Sequence, residues 1–319
     1  MSAPVSGGRA ALRASPLTPI VVSTHRGPIE LIDRCTGPAV LALHGGMGGC
    51  DQSLLLARAA LGDDPPTRVL ALSRPGYLGT PQASGAMPEA QADLYAALLD
   101  ALKIDKAMVV AVSAGGPSAL HFALRHPTRC AGIVLISCCT GTLDVPEQVR
   151  TRLPMMRLIA RLPPLVALLR WAALRSPEKS ARRSIRDPAL RTKTLTDPVA
   201  GTMLRELQAS VFTRMAERLP GTLSDTAYFG AMEPIDVSAL SPPLLAIHGT
   251  SDTVVPFAHA ERVAREALHG ELLAIAGGEH VSLFTHLDQV RMQVNEFVAT
   301  CGHTGSALPR PALAGRGVG

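Results

Sequence analysis

Aromatic residues are scarce: one Trp, three Tyr and six Phe among 319 residues, 3% of the chain. No basic-aromatic interleaving accompanies the net charge of +5, so the composition offers neither the concentrated basic footprint nor the stacking platforms of a nucleic-acid surface. Long apolar runs are missing too. The stretch "LPPLVALL" at 162–169 is short and interrupted by Pro163 and Pro164, whereas a membrane span needs about 20 apolar residues. The reading is a soluble, cytoplasmic protein with no stable membrane insertion. The six cysteines (Cys35, Cys50, Cys130, Cys138, Cys139, Cys301) form no C-x-x-C pair and no zinc-type spacing with histidine. In a chain this long they read as reduced thiols, with no metal and no cofactor expected. The first residues, "MSAPVSGGRAALRASPLTP", lack the apolar core of a secretory signal. Their arginines and serines, without acids, only faintly suggest a transit peptide, and residues 1–18 read as a disordered leader.

What the chain does have is apolar mass, 47% of its residues, enough for one large α/β domain with an insertion. "IVVSTHRGPIELIDRC" (20–35) alternates around a turn expected at Arg26-Gly27-Pro28 and reads as a hairpin. "AVLALHGG", "RVLALS", "AMVVAVS", "GIVLIS" and "PLLAIHG" are short, continuous and rich in branched residues, as strands of a parallel sheet covered on both faces are. "MPEAQADLYAALLDALKI", "GPSALHFALRHP" and a last segment, "LFTHLDQVRMQVNEFVAT", carry helical spacing. The alternation predicts a doubly wound α/β sheet.

Between 141 and 232 it stops, and the pattern turns helical, proline-punctuated and basic (Arg150, Arg152, Arg157, Arg161, Arg170, Arg175, Lys179, Arg182, Arg183, Arg186). This segment is expected to be an inserted helical cap on a core of 19–140 and 233–300. Its charge fits a solvated helix face, or a surface for anionic substrates or lipid headgroups helped by "RLIARLPPLVALLRWAALR". Residues 301–319, rich in Gly and Pro, read as a disordered tail.

Hydroxyl nucleophiles need a base within reach, a group that orients it, and donors for the oxyanion that forms. In "VVAVSAGGPSAL" (109–120), Ser113 ends an apolar strand, with Ala111 two residues before it and Gly115 two after. A sharp strand-to-helix turn that exposes a Ser Oγ requires small residues at those two places. Capping the next helix is an equally ordinary use of such a serine. "LALHGGMGG" (41–49) opens a strand into His44 and four glycines, so the backbone N–H of Gly46, with that of Ala114, could bind an oxyanion; the stretch also fits a merely flexible turn, and it matches neither phosphate-loop fingerprint. Asp252 in "LLAIHGTSDTVVP" follows a buried strand, which places a carboxylate at the sheet edge where ligands gather, although a surface-turn aspartate looks the same. His280 in "LLAIAGGEHVSLF" could be a general base or a loop histidine.

The order Ser113, Asp252, His280, preceded by an HGG turn, resembles the α/β-hydrolase superfamily in its cap-bearing branch, over roughly residues 20–300. "SRPGYLGT" (73–80) is similar to that family's loop after the fourth strand, and "HGTSDTVVP" to its acid-bearing segment. The resemblance implies Ser113 as nucleophile, His280 as base, Asp252 as its orienter, and the Gly46 and Ala114 N–H groups as oxyanion hole. Ala111 stands where Gly is common, Ser73 where Asp is frequent, and "HGGMGG" where HG-x-P is usual. The function implied is a serine hydrolase of a small, largely apolar carboxylic ester or thioester. C–C cleavage, lactone opening or cofactor-free haloperoxidase and perhydrolase chemistry at the same residues are alternatives, and a non-catalytic ligand binder a minor one. A small-molecule substrate is the expected partner, with weak interfacial membrane contact through the basic cap.

Overall fold

A computed structural model describes residues 18–144 and 147–303. Residues 1–17 and 304–319, which hold most of the leader and tail read as disordered, lie outside the described residues. The strands are β1 (Ile20–Thr24), β2 (Gly27–Arg34), β3 (Ala39–Leu43), β4 (Arg68–Leu72), β5 (Ala107–Val112), β6 (Cys130–Ile136), β7 (Leu244–Gly249) and β8 (Gly270–Ile275). They form one sheet in the order β1-β2-β4-β3-β5-β6-β7-β8, antiparallel at β1-β2 and β2-β4 and parallel from there on.

The hairpin turns one step earlier than expected: His25 and Arg26 form the turn, and Gly27 and Pro28 already pair with Thr24 and Ser23. Gly27 can open the strand because its φ of +124° is available to a residue without Cβ. Pro28 is tolerated at the start of a strand.

Strand residues alternate between two cores, which is why their sequences are continuously apolar. Leu41, Leu43, Val109 and Leu135 pack with Leu94 and Leu98 of α2 (Pro88–Ala101) and Phe122 of α3 (Gly116–Arg125). Val40, Ala42, Val110 and Ile136 face the other way, toward Leu54 and Leu55 of α1 (Cys50–Leu61).

Between β6 and β7 lie α4 (Glu147–Ile159), α5 (Pro163–Arg175), α6 (Pro177–Ala181), α7 (Pro188–Thr196), α8 (Ala200–Ser210) and α9 (Met215–Phe229). Prolines open α5, α6 and α7, where the missing N–H has no intrahelical partner to lose. After β7 come α10 (Ala258–Glu266) and, beyond β8, α11 (Ser282–Thr285) and α12 (Leu287–His303). The single last helix expected from the sequence is thus broken at His286, and helix continues to His303. Among the described residues, no helix is long and apolar enough to cross a membrane.

Candidate active site

Ser113 follows β5 with φ at +53°, a left-handed conformation that a side chain rarely adopts. Its neighbours must be small because other chain segments close over the turn. A Cβ on Gly115 would lie 3.0 Å from the carbonyl oxygens of Leu43 and His44, and one on Gly116 2.5 Å from that of Cys139. Ala111 is fully buried, so its methyl fits where family sequences often carry Gly. The Ser113 hydroxyl does not cap α3; its Oγ lies 3.1 Å from His280 Nε2.

His280 Nδ1 is 2.8 Å from Asp252 Oδ2. A carboxylate can only accept here, so Nδ1 carries the proton and Nε2 presents its lone pair to the serine. The carboxylate is itself held by more than one group. Oδ1 accepts from the amides of Val254 (2.8 Å) and Val255 (3.1 Å), and His248 Nε2 lies 3.1 Å from Oδ2 and 2.9 Å from the Val255 carbonyl. Burial alone would raise the Asp252 carboxyl, but hydrogen bonds from His248 and His280, the charge of His280 and the Val254 amide hold it well below the usual carboxylate range. Asp252 therefore stays ionised.

The Gly45–Gly46 turn is fixed from behind. Arg74 donates its backbone N–H to His44 Nε2 at 3.0 Å, so His44 carries its proton on Nδ1 and gives it to the Gly45 carbonyl at 2.7 Å. Burial, reinforced by Arg74, keeps the His44 ring neutral by pushing its pKa well below the ordinary value. The Arg74 guanidinium adds bonds to the His44 carbonyl (3.0 Å) and the Gly45 carbonyl (3.4 Å). In a trans peptide, C=O and the next N–H point in opposite directions. Pinning Gly45 C=O against His44 and Arg74 aims the Gly46 N–H to the other side, where Gly46 borders the same cavity as Ser113. The same reasoning applies to Ala114: the Ser113 carbonyl accepts from Cys139 N at 3.1 Å, which turns the following amide away from β6.

Ser113 and His280 open onto a cavity of about 230 Å³. Its wall is apolar (Leu56, Val112, Ile136, Leu207, Val211, Phe284), with Gln52 and Gln208 as neutral polar members and His280 as its one titratable group among the described lining residues. Gln208 Nε2 is buried without a hydrogen-bond partner.

Sequence reasoning singled out Ser113, Asp252, His280, Gly46 and Ala114; the structure links the first three in one hydrogen-bonded chain and sets Gly46 in the wall of this cavity, whereas Ala114, next to Ser113 in the turn, is not among the cavity's lining residues. It missed the residues that hold them. Arg74, 1% exposed, forms a bidentate pair with Asp225 of α9 at 3.1 and 2.6 Å, and Tyr77 Oη donates to the same carboxylate at 2.6 Å. Arg218, equally buried, pairs with Asp51 at 3.1 and 2.6 Å and reaches the Met47 carbonyl. Beside His280, Glu279 accepts the Arg186 backbone N–H at 2.6 Å. Only the position of Arg74 within "SRPGYLGT" gave any hint of this layer.

Residues 38–287 match the α/β hydrolase fold family. Among curated proteins, the chain is 27% identical over 253 residues to the uncharacterized hydrolase YcgS of Bacillus subtilis, covering 78% of this chain and 86% of that protein. It is 27% identical over 271 residues to the pimeloyl-[acyl-carrier protein] methyl ester esterase of Aromatoleum aromaticum, covering 82% of this chain and 98% of the esterase. Among solved structures, an α/β hydrolase fold protein from Nakamurella multipartita superposes with a TM-score of 0.75 at 27% identity, over 91% of this chain and 100% of that one. Strand order, strand-end geometry and sequence match agree: the chain belongs to the α/β-hydrolase fold family.

Proposed function

We propose that the protein is a serine hydrolase that cleaves a small, largely apolar and uncharged carboxylic ester or thioester through an acyl-Ser113 intermediate, beneath a cap formed by α4–α9. The observation that carries this reading is the unbroken chain from Asp252 through His280 to Ser113, opening on an apolar cavity. Ser113 Oγ attacks the carbonyl carbon as His280 Nε2 takes its proton. The negative charge that develops on the carbonyl oxygen is met by the Gly46 and Ala114 amides, and ionised Asp252 stabilises the imidazolium. His280 then delivers the proton to the leaving alcohol or thiol. A water deprotonated by His280 releases the acid and returns Ser113.

The named activity of the Aromatoleum relative, an ester hydrolase, fits this reading. Cleavage of acidic C–C substrates fits it less well, because the described cavity wall offers no Lys or Arg to a second carboxylate. Fluorophosphonate labelling of the intact protein, with Ser113→Ala as control, tests the nucleophile; a p-nitrophenyl ester and thioester panel tests the chemistry. Labelling confined to Ser113 and turnover of short neutral acyl chains are expected. Labelling that persists in Ser113→Ala would overturn the assignment. An inert Ser113 in folded protein would instead favour a ligand-binding role.

A further inference from the structure

The α4–α5 pair carries an outward face that is both apolar and basic. Met155, Leu158, Leu162, Leu168, Trp171 and Leu174 are all exposed there, Leu158 by 62% and Trp171 by 54%. None of the 13 residues of α5 is buried, although eleven of them are apolar or proline by sequence, "PPLVALLRWAALR" with only two arginines and its one Trp set among aliphatics. Helical spacing puts Leu168, Trp171 and Leu174 on one side of α5, while Leu165, Val166 and Leu169 are half-buried on the other. Arg152, Arg157, Arg161, Arg170 and Arg175 are exposed around this face, and the sequence from 148 to 177 contains no acidic residue. Arg175 stacks its guanidinium over the Trp171 ring at 4.9 Å.

Large apolar side chains left in water lose the burial that stabilises the rest of the fold, and a contiguous patch of them marks an interaction surface. Its charge selects the partner. A symmetric contact with a second copy would set these arginines against one another, whereas an anionic bilayer supplies hydrocarbon for the leucines, an interfacial layer for Trp171, and phosphates for the guanidinium groups. We propose that the α4–α5 face docks the protein on an anionic lipid membrane. α5 packs on α8, whose Leu207 and Gln208 form part of the cavity wall, so the docked face is the outer side of the helical layer over Ser113. The docking does not depend on the reaction proposed above.

Because the chain contains a single Trp, intrinsic Trp fluorescence reports on this face alone. Titration of the full chain with vesicles of phosphatidylcholine containing about 30% phosphatidylglycerol is expected to shift the emission to shorter wavelength and to carry the protein into the pellet; about 0.5 M NaCl should release it. Arg170→Gln with Arg175→Gln should lower the partition coefficient roughly thirtyfold, from about fivefold per charge, with an unchanged thermal midpoint showing that the fold is intact. No shift and no co-sedimentation with the anionic vesicles would overturn the proposal. So would equal, salt-insensitive binding to pure phosphatidylcholine, or a dimer in light scattering that is lost on Leu168→Ser with Trp171→Ser.

Discussion

Replacing Asp225 by Asn removes one charge at nearly constant shape and isolates what the buried Arg74 pair does. Arg74 is 1% exposed, and its guanidinium is satisfied by two bonds to Asp225 and by the His44 and Gly45 carbonyls. Asparagine leaves a buried cation facing an amide that can accept with one atom only. Breaking a buried pair from one side costs about 3–5 kcal/mol; Asp225 retains 13% side-chain exposure, which places this case near about 3 kcal/mol. The guanidinium relaxes toward water and gives up its bonds to the His44 and Gly45 carbonyls, so the turn keeps only the His44 Nδ1 bond to Gly45 and the Gly46 amide is less firmly directed. Loss of one oxyanion donor lowers kcat by about 10²–10³, with KM changed far less because the apolar wall is untouched. Urea unfolding, ester turnover and the rate of fluorophosphonate labelling give the readouts. Arg74→Met with Asp225→Leu should recover most of the stability but little of the rate, since no cation is stranded but the His44 and Gly45 carbonyls still lack the guanidinium. Asp225→Asn with wild-type kcat and labelling rate, or a loss of stability below about 1 kcal/mol, would refute the role given to the pair.

Acid sensitivity should follow the buried histidines. Burial holds His44 well below its ordinary value, and burial with His248 and Arg262 lowers His259 to about 4. Both are neutral in the fold and take up protons only in the unfolded chain, so their contribution is complete above about pH 6.5 and is lost as pH falls toward the folded values, at up to about 1.4 kcal/mol per pH unit for each. Asp252, also lowered, has a contribution that is complete above the ordinary carboxylate value and is lost as pH falls from there toward its folded value; urea unfolding at pH 7, 6 and 5 that shows no slope would contradict the histidine account. Gly221→Ala should destabilise by about 1–3 kcal/mol, because a Cβ there would lie 2.2 Å from the Tyr77 ring. Helix propensity alone gives the opposite sign, about 1 kcal/mol in favour of Ala, so a raised thermal midpoint would show that Tyr77 yields. Gln208→Met removes a buried donor that has no partner and should leave stability unchanged or raise it by about 1 kcal/mol in urea unfolding.

Most of the sheet was legible because its central strands, β3 to β7, are buried on both faces, so that sequences such as "VLAL" and "MVVAV" carry no competing helical period. Ser113, Asp252 and His280 were legible only as an ordered set, each being an ordinary residue by itself. The break of the last helix at His286 was not visible because apolar spacing continues through it. Arg74, Arg218 and Asp225 were hidden for a physical reason. A buried arginine looks in sequence like any surface arginine, and what buries it is an acid 151 positions away for Arg74 and 167 for Arg218. Arg218 lies inside the basic, helical stretch whose charge invited a solvated reading.

Those long-range pairs give the departure from HG-x-P its structural sense. The "HGGMGG" turn lacks a proline to stiffen it, and Met47 sits at φ +56°. Its backbone is held instead by side chains, most of them from outside the turn: Gly45 C=O by the turn's own His44 and by Arg74, Met47 N–H by Thr222 Oγ1 at 3.0 Å, and Met47 C=O by Gln52 and Arg218. Arg218 and Thr222 belong to α9, and Arg74 is anchored there through Asp225. A displacement of α9 from the sheet would break two ion pairs that involve buried arginines and loosen the turn that aims the Gly46 amide, at a cost of several kcal/mol, on the order of the loss from stranding one buried charge. α4 and α5 carry no comparable buried ion pair among the described residues. The helical layer is therefore stiff where it borders the backbone amides beside Ser113 and loosely held where its apolar, basic face meets solvent.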